Sequence, residues 1–296
     1  MATVTHFSAE SIKGKLPLAY FQKEYFQTQA YSQFVAYSNE DFFIPFDITQ
    51  ENAISIPMSP FGSFIHRKGD ENSFEAFIES ISTDLNKKKV GSMIIHHPSN
   101  IYSSMVQEDW IRNTGFRELY QDINQHIELK PDWEGTIHNM QKRKLESLRN
   151  EGFEFRTMEK DEFEVAHQFL SVCRQAQGLQ INITWDKLKT LTEKLPDSYD
   201  CFGVFREDKI SSLCICVKVD RDVAYYYLPA TSPMFRDKSP MVLLISGMVD
   251  HYLKEGFKIF DLGVSSYQGS PQETLRMFKN RMGAIETLKT TFVKEL

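Results

Sequence analysis

Apolar residues recur at Met241, Leu244, Ile245, Met248 and Tyr252, steps of three, one, three and four that lay one stripe along a helix. Ser239 suits the N-cap, Pro240 the first helical position and Gly256 the left-handed residue past the end, so the pattern predicts a helix over 240–255. The following "FKIFDLGV" is short, apolar and bounded by glycine, the signature of a buried strand. Upstream, "DCFGVFREDKISSLCICVKVDRDVAYYYLPA" reads as three consecutive strands with turns at "REDK" and "DRD".

The first half repeats this order. A helix over roughly 73–88 leads to a strand at Val90–His96, and "MVQEDWIRNTGFRELYQDINQHIEL" adds a helix, a Gly-Phe junction and a strand. Phe74–Glu128 therefore parallels Met241–Leu296, which suggests two copies of one α/β unit. Between them Pro131 and Asp132 break a strand. A helix from about Glu134 then carries Lys142, Arg143, Lys144 and Arg149, read as a solvated basic face.

The totals change this picture in two ways. The 296 residues suffice for about two domains of ~150 residues. Of the 34 Lys+Arg and 40 Asp+Glu, residues 1–133 hold 11 against 17, so the whole deficit sits in the first half. Neither half has the basic excess of a general nucleic-acid binder, so DNA and tRNA are not expected partners. Cys173, Cys201, Cys214 and Cys216 form no CxxC pair, lack histidines at zinc spacing and read as buried thiols. His96 and His97 point to opposite faces of a strand end, so no metal site is expected. The start has no apolar stretch of signal-peptide length and no run approaches ~20 apolar residues; the expectation is a cytoplasmic, soluble protein without membrane insertion. No GxSxG, HExxH or P-loop is present.

"FDLGVSSYQGSPQETLRMFKNRMGA" concentrates what chemistry remains: a carboxylate at a strand end, then Arg276, Lys279 and Arg281 on a helix. Arg276 and Lys279 are three apart and share a face, so the two could meet one anion, whereas Arg281 faces elsewhere. Asp261 stands where open α/β sheets place ligands, as a base or as an acceptor for the following loop. In Tyr225-Tyr226-Tyr227 the outer two share a face and Tyr226 takes the other. Tyr267 is a further phenol.

The strand, helix, "FDLG" and "FKNRMGA" resemble the GNAT acyltransferase superfamily. With "WEGTIHNMQKRKLESLRNEGF" and "PFGSF" at 60–64, the chain is similar to its Fem-type branch, whose members carry two such domains in tandem. The resemblance implies an α/β (α+β) chain of two tandem GNAT-like domains, 1–132 and 133–296, each a central mixed sheet flanked by helices, with the active site in the second. It implies an N-acyltransferase: an acyl or aminoacyl group passes from a donor such as acyl-CoA (acetyl-CoA) to a small-molecule or peptide amine held between the domains. It further implies that the strand of Tyr225–Tyr227 and the strand ending at Asp261 splay apart to admit the acyl arm. Lys279 falls on the branch's "FK" lysine, and Asp261, Tyr226 and Tyr267 are the other catalytic candidates. Arg276, Tyr225 and Tyr227 would face substrate. Arg236, Lys238, Ser239, Met241 and Val242 occupy the family's phosphate loop, where Ser and Met replace two glycines and Pro240 removes a donor. That departure keeps two alternatives open: a GNAT-fold protein that only binds an anionic metabolite or partner, and a Fem-type transferase using aminoacyl-tRNA.

Overall fold

The computed structural model describes residues 5–7, 18–56 and 59–296, so most of the opening segment read above lies outside the described residues. The chain runs β1 (Thr5–Phe7), α1 (Lys23–Thr28), β2 (Phe34–Ser38), β3 (Phe42–Thr49), β4 (Asn52–Ser55), β5 (Ile65–His66), α2 (Glu71–Lys87), β6 (Ser92–His96), α3 (Glu108–Asn113) and β7 (Arg117–Glu128). It continues with α4 (Asn139–Asn150), β8 (Glu154–Met158), α5 (Phe163–Gln175), α6 (Trp185–Lys194), β9 (Tyr199–Arg206), β10 (Lys209–Lys218) and β11 (Val223–Thr231). Then come α7 (Met241–Lys254), β12 (Ile259–Val264), β13 (Ser266–Tyr267), β14 (Ser270–Pro271), α8 (Glu273–Arg281) and β15 (Ile285–Glu295). Among the described residues no helix is long and apolar enough to cross a membrane.

Two compact units result. One comprises Met1–Asn124, Ser266–Pro271 and Thr287–Leu296; the other comprises Gln125–Ser265 and Gln272–Glu286. In the first, the strand order is β1-β2-β3-β4-β6-β15-β7, antiparallel except where β4 lies parallel to β6. In the second it is β7-β12-β11-β10-β9-β8, with β11 and β12 parallel. The order α2-β6-α3-β7 is answered by α7-β12-α8-β15, the repeat that the hydrophobic pattern suggests. The last strands are exchanged, however: β15 pairs with β6, and β7 neighbours β12.

Local chemistry accounts for the elements. In α2, Asp70 accepts from Ser73 N (2.9 Å) and Ser73 Oγ accepts from Asp70 N (2.9 Å), a reciprocal cap. Its Phe74, Phe77, Ile78, Ile81 and Leu85 enter the first unit's core, each worth roughly 1.5–3 kcal/mol relative to exposure. The β9–β10 hairpin turns through Glu207 and Asp208, both at positive φ, which matches the twist of the flanking strands. In the second unit α7 lays Val242, Ile245, Met248, Val249 and Tyr252 over Phe202, Ala224 and Phe260.

Two helix starts differ from the sequence reading. The helix expected from about Glu134 is a tight turn, Trp133–Thr136, followed by α4; buried, extended Ile137 separates them. Ser239 does not cap α7. It ends a 3₁₀ turn over Pro233–Lys238 with φ +58°, because the residue before a proline is disfavoured in the right-handed helical region. Pro240 is the residue that precedes the helix.

Gly283 follows α8 at φ +84°, and a Cβ there would overlap the Thr136 side chain. Trp133, buried, sends Nε1 to Asp250 Oδ1 at 3.4 Å, and His138 N donates to Arg281 O at 2.9 Å. The Trp and Met-Gly landmarks of the two sequence motifs thus meet in one packed corner of the second unit.

Candidate active site at the parted strands

The parallel pair β11–β12 holds for three positions, Val223↔Ile259, Ala224↔Phe260 and Tyr225↔Asp261, and stops. β11 runs on to Thr231 and β12 to Val264 without further pairing. The strands part there as the resemblance implies, and unpaired backbone groups on facing edges are what an extended ligand arm can use. A register shift against β10 falls beside the gap: Ile215 faces Leu228 but Cys216 faces Tyr226, so Tyr227 is the extra residue of a bulge.

Where the strands part, acidic, phenolic and basic groups gather. Asp261, 2 % exposed, accepts from Gly263 N at 2.9 Å through Oδ1. Gly263 has φ +72°, and a Cβ there would lie 3.1 Å from Tyr225 Oη, so glycine lets the Tyr225 ring cover the strand end. Tyr225 and Tyr227 share a face, with ring centroids 6.4 Å apart. Burial and the nearby Asp261 carboxylate push the Tyr225 phenol well above its ordinary range, so it stays protonated at neutral pH.

Lys279 is 3 % exposed and donates to Gly263 O at 2.9 Å and Val264 O at 2.8 Å, the last carbonyls of β12. Burial pulls its pKa down to about 8, with Asp261 acting in the opposite sense. Arg276 is engaged differently from the sequence expectation. Its Nε and Nη2 take both oxygens of Glu286 at 2.8 Å each, and Nη1 reaches Glu273 at 3.3 Å. A partner ten positions along the chain claims the guanidinium, so Arg276 and Lys279 do not face one anion.

His126, on β7, is the group that sequence reasoning missed. It is 6 % exposed, and its Nδ1 is buried without a hydrogen-bond partner. Burial lowers its pKa, while Asp261 and Glu128 act to raise it. Its neighbour Gln125 donates to Arg276 O (3.0 Å) and Asn280 Oδ1 and accepts from Ser265 Oγ, tying α8 to the end of β12. A lone His-Gln on a strand 135 positions before Asp261 carries no local signal of this role.

The phosphate-loop candidates lie at the start of α7. Lys238 pairs with Glu151 at 2.7 Å, Ser239 Oγ accepts from Lys144 Nζ at 3.0 Å, and Arg236 is exposed. Val242 is buried with its N–H on Ser239 O at 3.1 Å. Tyr226 turns to the opposite face from Tyr225, where its hydroxyl donates to Met241 Sδ at 2.6 Å and its ring meets Phe260. Lys144, Lys238, Arg236 and the helix dipole make this end positive, which suits a phosphate by charge, although no glycine cradle is present. Tyr267 belongs to the other unit and is 68 % exposed.

All four cysteines are buried, and Cys214 and Cys216 bring their sulfurs to 3.6 Å on one face of β10. Asp200, His251 and Glu255 lie close enough together to suggest a cation site, but Lys218 Nζ already stands 3.2 Å from Asp200 and 4.0 Å from Glu255.

Comparison with known proteins fits this geometry. The acetyltransferase (GNAT) domain family matches residues 138–269. No curated protein matches in sequence. Among solved structures, FemX is similar over 99 % of this chain and 97 % of its own, with 11 % identity and TM-score 0.68. L-PGS from Bacillus licheniformis covers 85 % and 80 %, with 14 % identity and TM-score 0.62. A tandem GNAT protein from the clavulanic acid biosynthesis pathway covers 92 % and 86 %, with 9 % identity and TM-score 0.53. At these identities the likeness shows the fold.

Proposed function

Because the chain has the GNAT fold and resembles the Fem-type tandem branch, we propose that it is an N-acyltransferase that moves an acyl group from an activated, anionic donor to an amine. The observation that carries this reading is the parting of β11 and β12 beyond Tyr225 and Asp261, with buried Lys279 at the opening. The donor, of which acyl-CoA is the first to test, supplies the activated carbonyl. The basic start of α7, with Arg236, Lys238 and Lys144, favours its phosphates. The unpaired edge of β11 orients the acyl arm, and Lys279 holds the end of β12 and stabilises negative charge that develops nearby. Asp261 orients the Gly263 turn, and Tyr225, protonated at neutral pH, is the proton donor for the leaving group.

Thermal unfolding with a panel of acyl-CoAs tests the donor: at 100 times its dissociation constant a ligand adds ~2.7 kcal/mol. Stabilisation by an acyl-CoA, followed by acylation of an amine that Lys279→Met suppresses, supports the proposal. Absence of both contradicts it. One observation favours a second reading, a GNAT-fold protein that binds an anion without transfer: Lys238 is neutralised by Glu151, and Pro240 stands where the loop needs a donor. Stabilisation by CoA with no acyl transfer to any amine would select that reading.

A further inference from the structure

The first unit contains a cavity of about 580 Å³ just beyond the end of β6, within the 300–1,000 Å³ range of small-molecule sites. None of its residues belongs to the parted strands of the second unit. Its wall divides into an apolar part, with Tyr102, Met105, Val106 and Leu288, and a polar part, with His97, Ser99, Glu108 and Asp109. Among the described lining residues there are two carboxylates and no lysine or arginine. An anion such as a nucleotide phosphate is therefore disfavoured here, and a cation is favoured.

The polar groups are held in place. Glu108 accepts from Arg112 Nη2 at 2.8 Å and from Thr290 Oγ1 at 3.0 Å, and Arg112 is shared with Glu118 at 2.5 Å. One guanidinium between two carboxylates leaves net negative charge beside the cavity, to which exposed Asp109 adds. His97 is 5 % exposed and meets Ser63 Oγ through Nδ1 at 2.7 Å, leaving Nε2 for a ligand. Burial pushes its pKa down to about 3, so the imidazole is neutral and does not repel a cation. Ser99 is 3 % exposed, and Thr287 Oγ1, also in the wall, is buried without a hydrogen-bond partner. A buried, orphaned hydroxyl in a cavity wall is what a ligand's polar group would satisfy.

We propose that this cavity binds a small cationic amine, its ammonium toward Asp109 and Glu108 and its aliphatic arm against Met105, Val106 and Leu288. The proposal goes beyond the transferase reading and is tested by binding alone.

Calorimetric titration of the full chain uses n-butylamine and cadaverine, with n-butanol and hexanoate as neutral and anionic controls. The amines are expected to bind one-to-one, with the controls about tenfold weaker or more. Asp109→Asn should weaken the amines about tenfold, and Leu288→Arg, which sets a cation at the cavity wall, should abolish their binding. Both substituted side chains are exposed, and unchanged melting of each variant is the check that the fold is kept. Hexanoate binding as well as the amines, amine binding indifferent to both substitutions, or no amine binding at about 10 mM would each overturn the proposal. Amine binding without acyl transfer would leave it standing while the transferase reading falls, and acyl transfer without amine binding here would do the reverse.

Discussion

The end of β6 in the first unit and the end of β12 in the second are the same place in two copies of one pattern, and they are finished differently. In each, a parallel neighbour pairs for three positions and then stops: Asn52↔Ser92, Ala53↔Met93 and Ile54↔Ile94 in one, Val223↔Ile259, Ala224↔Phe260 and Tyr225↔Asp261 in the other. In the first unit the parting is stitched shut. Ser55 Oγ accepts from His96 N at 2.9 Å and donates to Gly62 O at 2.7 Å, while Gly62 N donates to His96 O at 2.8 Å. A Cβ on Gly62 would lie 2.9 Å from Ser55 O, so the "PFGSF" segment closes the gap with the one residue that fits. In the second unit no such stitch joins β11 to β12, and Lys279 holds the free carbonyls of β12 instead. One repeat has become scaffold and the other has kept the opening.

The largest expected effect comes from the open copy. Lys279→Met should cut acyl transfer by ~10²–10³, the cost of one electrostatic contact to developing charge, while the melting transition persists. A variant that transfers at the wild-type rate would remove Lys279 from the account. Next is the closed copy: Gly62→Val overpacks the stitch and should destabilise the chain by about 1–3 kcal/mol in urea titration. An unchanged midpoint would show that the stitch contributes nothing.

Titration sharpens the contrast further. Lys279 has a folded pKa of about 8 against 10.5 in a model environment, so between those values the unfolded chain binds more protons and stability rises with pH. His96 and His97, lowered to about 4 and about 3 from 6.5, place the same sign of slope in the acid range: stability falls as pH drops below 6.5. Denaturant midpoints should therefore show an alkaline slope that Lys279→Met removes and an acid slope that it leaves. The smallest effect is expected at the rim. Lys238→Ala should weaken donor binding only a few-fold, since Glu151 already neutralises the ammonium on a partly exposed surface.

What was legible in the sequence is what local period and turn chemistry encode. The α7 stripe, the β9–β11 hairpins, the strand at Asp261 and the repeated order of elements all follow from spacing and punctuation. The exchange of β7 and β15 is not legible, because pairing between strands so distant in the chain leaves no periodic trace. His126 was invisible for the same reason: its place beside Asp261 exists only once β7 lies along β12. Arg276 misled through helix geometry, which places it near Lys279 but says nothing of Glu286 beyond the helix end. Ser239 read as a cap because its side chain is suitable; the proline after it decides the backbone instead.

The most direct test of the open and closed copies is backbone amide NMR of the full chain during titration with acetyl-CoA. Shifts at Gly263, Val264 and Met241–Leu244, with Gly62 and His96 unmoved, are the predicted result. Shifts confined to Gly62 and His96, or none anywhere at saturating donor, would contradict the assignment of the opening to the second unit.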